Sequence, residues 1–238
     1  MREAIARCAA HLHADAPGFT RRNLFYAVRR MLGADVAEIT FDVELRRWLS
    51  RDSIPGLLPA PIPWTSRRLS REWDAYFPAA IVLVDRQPIL DLFIASGVIP
   101  KARLAVVCID GSPRSVVAWL KRGFRAGRRA PIVYLHDAAT VVYPFMLEPL
   151  ATRVRYPGQE PILYRDLGVP PRGATSALFD EPAYDDPEPI LELEAVAPTT
   201  LVRYASRAAL ALIPGDPNML PLTREGERQR LLHGGERA

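Results

Sequence analysis

The chain has 238 residues, 49% hydrophobic and 24% charged, an ordinary balance for a folded protein and enough to bury a real core. No apolar run approaches the roughly 18–20 residues of a membrane span, and charges and histidines interrupt residues 1–18, where a secretory signal needs a continuous apolar stretch. A membrane protein is therefore not expected, and a cytoplasmic one is.

Cys8 and Cys108 are far apart and form no CxxC pair, so they read as buried reduced thiols, not as a disulfide or zinc site. The net charge of +4 is uneven. Residues 1–130 carry 21 Lys and Arg against 12 Asp and Glu, whereas residues 131–238 carry 10 against 15. A basic front half suits a polyanion partner, nucleic acid above all, or a solvated arginine-rich surface.

Residues 2–14 read as a helix, with Ile5, Ala9 and Leu12 at helical spacing, ended by Pro17-Gly18. A second helix runs from an N-cap at Thr20 to Gly33. Its apolar face holds Leu24, Phe25, Val28, Met31 and Leu32, and Arg21, Arg22, Arg29 and Arg30 make the rest cationic. A third helix is predicted over Phe41 to Leu49, with Arg46 and Arg47. Three short basic helices suit a helix-turn-helix or winged-helix module binding double-stranded DNA through Arg21, Arg29, Arg30, Arg46 and Arg47. The Pro-rich residues 51–66 read as a loop or small β excursion, and Arg67 to Tyr76 as a basic helix or turn.

From residue 80 the texture changes. Apolar runs at 80–85, 103–110 and 131–137 each end in an acid: Asp85, Asp110 and Asp137. Helical stretches at 86–97, 112–127 and 139–154 follow them. Continuous apolar strands alternating with helices predict a buried parallel sheet, so an α/β fold. Ligands of such sheets gather at the carboxyl ends of the strands, where the three aspartates stand. His136 reads as a ligand or a structural ring, and Lys121 to Arg129 as a phosphate contact or a solvated helix end. No GxxxxGK or GxGxxG loop is present, so any ATP coupling needs an ATPase partner chain. Residues 155–200 lose the rhythm, the acidic 180–194 stretch reads as an extended or partly disordered link, 199–213 as a last helix, and the tail from Thr223 as frayed.

Two motifs, in this order, resemble those of the topoisomerase VI A subunits and the meiotic double-strand-break proteins. Arg22-Asn23-Leu24-Phe25-Tyr26 is similar to that family's arginine-acid-apolar-aromatic-tyrosine motif, with Asn23 in the place of the acid. The resemblance implies Tyr26 as the nucleophile that attacks DNA and Arg22 as its helper. The runs VLVDRQ and YLHDAAT resemble a Toprim pattern, with Asp85 in the glutamate slot, Asp137 in the first aspartate slot and Ala139 where the second aspartate stands. CIDGSPRSV resembles the loop and helix start between those strands, and SIPGLL (53–58) a segment between the two domains.

The implied organisation is a winged-helix-like module over 1–66, a Toprim-like parallel-sheet domain over 67–154, and a Pro-rich acidic extension with a terminal helix over 155–238. The implied chemistry is Mg²⁺-dependent strand cleavage through a phosphotyrosyl bond, in a homodimer. A tyrosine with a pKa of about 10 needs help to attack phosphate. An arginine stabilises the phenolate and the transition state, and carboxylate-held Mg²⁺ neutralises phosphate oxygens. Asp85 and Asp137 are the implied metal ligands, and Asp110, also at a strand end, is the candidate for the missing third. Asp85 is shorter than glutamate and reaches about 1.5 Å less far. Two other readings stand beside the cleaving subunit: a non-catalytic DNA-binding scaffold, and an α/β protein with an unrelated small-molecule site at the three aspartates.

Overall fold

Alternating side-chain direction along buried strands divides the centre of this protein into two apolar layers. The computed structural model describes residues 1–33, 35–59, 78–101, 103–110, 113–125, 130–137, 164–167 and 192–213. Strands β1 (Ala80–Val84), β2 (Leu104–Cys108), β3 (Ile132–Leu135) and β4 (Tyr164–Asp166) form a parallel sheet in the order β2-β1-β3-β4. The predicted parallel α/β sheet is thus present. Because strand side chains alternate, Ala80, Val82 and Val84 of β1 join one core, and Ile81 and Leu83 join the other.

Helix α4 (Gln87–Ser96) and helix α7 (Pro198–Leu210) cover the first face, and α6 (Pro113–Arg125) covers the second. Helix α4 starts right after β1 with Pro88 in its first turn. It stops at Gly97, whose φ of 66° is the left-handed cap that glycine adopts without a Cβ clash. A short helix, α5 (Val98–Lys101), leads into β2.

The front of the chain forms a third core. Helices α1 (Arg2–Asp15), α2 (Arg21–Leu32) and α3 (Glu38–Leu49) bury Ile5, Leu12, Leu24, Phe25, Phe41 and Leu45 together. Helix α3 begins three residues before the expected Phe41, since Glu38 favours a helix N-terminus and meets Arg21 there. Phe19, just before α2, and Leu57, after α3, form a parallel bridge, a small β excursion. Among the described residues, no helix is long and apolar enough to cross a membrane.

Two expectations need correction. The 180–194 link, expected to be extended or partly disordered, ends in an ordered 3-10 turn at Leu193–Ala195 with Leu193 buried, and its residues 180–191 lie outside the described ones. The irregular stretch 155–200 also supplies β4. Composition hid both, because a few well-placed residues in a Pro-rich region decide the burial. The expected helices at 67–76 and 139–154, Ala139 and the tail from Thr223 lie outside the described residues.

Candidate functional site: an arginine-centred acid cluster

The strand order reverses between β1 and β3. In open α/β sheets that reversal, at the carboxyl ends of the strands, is where a crevice forms. Asp85 follows β1 there, and Asp137 follows β3 after His136. Both aspartates are buried. Asp85 Oδ2 accepts a hydrogen bond of 3.0 Å from the backbone N–H of Asp137. Asp137 Oδ1 accepts one of 2.7 Å from the N–H of Leu193.

The side chain of Arg86 lies among these acids. Its Nη2 is 2.6 Å from Asp137 Oδ2 and 2.7 Å from Glu194 Oε2. Its Nε is 3.8 Å from Asp85 Oδ1, and its Nη1 is 3.8 Å from Glu192 Oε2. Glu192 also meets Arg22 at 2.9 Å. Four carboxylates therefore face two guanidiniums, and Arg22 is shared further with Glu38 at 3.8 Å.

That excess of negative charge away from water sets the protonation of the cluster. Burial, then the charge of Asp85, pushes the Asp137 carboxyl up to about 7 against the pull of Arg86. Burial also raises Glu194, again opposed by Arg86. Burial works against the Arg86 charge, yet the surrounding acids outweigh it and hold the proton more firmly than usual.

Tyr26 and Arg22 sit one turn apart on α2, the spacing that puts two side chains on one helix face. The helix starts at Thr20, whose Oγ1 accepts from the Asn23 N–H while Asn23 Oδ1 accepts from the Thr20 N–H. Tyr26 is buried beside Phe25, and its hydroxyl faces Glu192 and Arg22. Burial, followed by the Glu192 charge, raises its pKa well above the ordinary value, with Arg22 opposing. A phenol held this way is a poorer nucleophile at neutral pH.

The turn at 193–195 joins the two halves. Asn23 Nδ2 donates to the carbonyls of Glu194 and Val196, at 2.7 Å and 3.2 Å. Arg30 Nη1 donates to the carbonyl of Ala195 at 2.9 Å, and Glu194 Oε1 lies 3.2 Å from Thr20 Oγ1. Tyr26, Arg22, Asp85 and Asp137 are thus brought into one cluster. Arg86, Glu192 and Glu194 complete it, three residues that no motif marks. A signal existed: Leu-Glu-Leu-Glu over 191–194 alternates with a period of two, which a plain solvated link has no reason to do.

The remaining candidates are placed elsewhere. Asp110 is exposed and makes none of the cluster's contacts. His136 stacks on Tyr134 with ring centroids 4.7 Å apart, and its Nδ1 lies 2.7 Å from the Asp137 carbonyl. Arg21 forks onto Asp42, with Nε to Oδ1 at 2.8 Å, and reaches Glu38 at 2.7 Å. Arg47 pairs with Glu44 on the same helix, Arg46 is exposed, and Arg29 is half-buried. Mg²⁺ does not fit this arrangement as it stands, because the Arg86 guanidinium lies where the carboxylates converge. Among the described residues, no group of three or more His, Cys, Asp and Glu side chains is placed to hold a metal.

Comparison with family models, with curated proteins and with solved structures finds no match to this chain.

Proposed function

We propose that this chain is a DNA-binding, topoisomerase VI A-like subunit whose Toprim-like centre serves as a scaffold and not as a cleaving site. The observation that carries this reading is Arg86. A fixed positive charge lies 2.6 Å from Asp137 and 2.7 Å from Glu194, among the carboxylates that a metal-dependent centre would use. The buried Tyr26, with its raised pKa, supports the same conclusion. The winged-helix-like assignment of 1–66, the Toprim-like assignment of 67–154 and a homodimeric state belong to this proposal. An ATPase partner chain and a cytoplasmic setting do too.

DNA affinity should fall steeply with salt, since each neutralised phosphate releases counterion. Arg46→Ala with Arg47→Ala, exposed on α3 and away from the 192–196 turn, should weaken binding on all sequences alike. Unchanged affinity in that double variant would count against the module.

One observation favours the cleaving reading. Tyr26 and Arg22 do lie in the same cluster as Asp85 and Asp137, although the two motifs are far apart in sequence. On that reading Tyr26 is the nucleophile and Arg22 its helper, and a metal would need Arg86 to withdraw from Asp137. A denaturing gel of labelled DNA with wild type and Tyr26→Phe separates the two. A covalent adduct formed by wild type and lost in Tyr26→Phe would replace the scaffold reading with the cleaving one.

A further inference from the structure

Arg22 and Arg86 converge on a single oxygen. Glu192 Oε2 is 2.9 Å from Arg22 Nη1 and 3.8 Å from Arg86 Nη1. Two guanidiniums around one oxyanion is the arrangement that binds a phosphate group. Here the oxyanion belongs to the chain itself.

We propose that residues 192–196 are an autoinhibitory strap, whose carboxylates occupy a phosphodiester site formed by Arg22 and Arg86. This rests on the DNA-binding reading above and adds a regulation to it. The strap covers the predicted site point by point. Glu192 lies against Arg22, Arg86 and Tyr26, and the Leu193 N–H is held by Asp137. Glu194 lies against Arg86, and Asn23 and Arg30 hold the carbonyls of Glu194, Ala195 and Val196. A phosphate cannot take the place of Glu192 between the two guanidiniums, or reach the buried Tyr26, without moving it.

The strap is also charged for release. Its two carboxylates join Asp85 and Asp137 around only two guanidiniums, so the closed state contains like-charge repulsion. Arg86 Nη2, Glu192 Oε2 and Glu194 Oε2 are buried without a hydrogen bond of good geometry. Their attraction is Coulombic and weakly directional. A DNA backbone brings a run of phosphates that compete for the same two guanidiniums.

The test uses the full chain and a labelled duplex at low salt. Glu192→Gln keeps the shape and removes the competing charge. It should bind about tenfold more tightly, with a log–log salt slope steeper by about 1 for one further phosphate contact. On an Arg22→Gln background the gain should vanish, because the site that Glu192 fills is then incomplete. A gain from lower overall acidity alone would survive on that background. In wild type, adding the duplex should speed hydrogen exchange at Leu193 and Val196, which needs no variant to fold. Equal affinity of wild type and Glu192→Gln, a gain that survives Arg22→Gln, or unchanged exchange on DNA binding each overturns the strap and leaves the DNA-binding reading in place. Absence of DNA binding in both proteins removes the two together.

Discussion

Asn23 holds Glu194 by its backbone, with Nδ2 2.7 Å from a carbonyl oxygen 171 residues further along the chain. The same nitrogen reaches the carbonyl of Val196, and the side-chain oxygen caps α2 through the Thr20 N–H. Asparagine can do this because it carries both a donor and an acceptor. A carboxylate, which the resembled motif has here, offers no proton to either carbonyl.

Asn23→Asp should therefore keep the helix cap and lose the turn. Two buried carbonyls would lose their donor, and a new charge would face the Glu194 side. The expected loss is about 2–4 kcal/mol, read from urea denaturation, with earlier proteolytic cutting around residue 194. Wild-type stability in this variant would mean that Asn23 does not anchor the turn.

Arg86 supplies positive charge to its neighbour Asp85 and to acids from two other parts of the chain. Arg86→Met keeps much of the side-chain length and removes the charge. Leaving the acids unpaired should cost about 3–5 kcal/mol at neutral pH. Adding Glu194→Met to that variant should restore part of the loss, because one of the uncompensated carboxylates goes with it. Equal stability of the single and double variants would argue that the pairing is not where the energy lies.

Asp137 gives a pH signature. Its folded pKa, about 7, lies above the ordinary aspartate value of 3.8, so between those values the folded state holds a proton that the unfolded chain releases. Stability from this group is therefore present at low pH and declines as pH rises through that window. The raised Glu194 acts in the same sense. Asp137→Asn, which can still accept from Leu193, should flatten the decline. Thermal melts of both proteins from pH 4 to about 8 would show it as a difference that grows with pH. Parallel curves would remove Asp137 as the cause.

Gly56 shows what a turn beside the helical core requires. Its φ is +78°, and a Cβ built there would lie 2.5 Å from His13 Nδ1. Gly56→Ala should cost about 1–3 kcal/mol. On a His13→Ala background the clash with the imidazole should disappear, leaving about 1–2 kcal/mol for the left-handed backbone together with the 3.0 Å contact to Phe19. Denaturation midpoints of the four proteins separate the two contributions.

The sheet was legible in the sequence because strands buried on both faces are continuous apolar runs, and Ile81 through Val84 have no polar member to interrupt them. The strand-end positions of Asp85 and Asp137 followed directly. The role of Arg86 was not legible. It depends on Glu192 and Glu194, more than 100 residues later, in a stretch whose composition suggests solvent. The apolar face of α2 was only partly right. Leu24, Phe25 and Val28 are buried as expected, whereas Met31 and Leu32 are exposed. Periodicity gives the direction of a helix face; which turns of it are covered depends on where α1, α3 and the 192–196 turn lie.

The distances in sequence that close the cluster also set the order in which it can form. Arg86 finds its acids only after β1 has paired with β3 and the chain has returned from residue 192 to meet α2. Contacts that close such long loops are entropically costly and form late in folding. Interactions missing from the transition state act on the escape rate from the native state and leave the folding rate nearly unchanged. The arginine should therefore work as a latch on lifetime. In stopped-flow chevrons, Arg86→Met should raise the unfolding limb and leave the refolding limb in place, whereas Leu83→Ala, in the heart of β1, should move both.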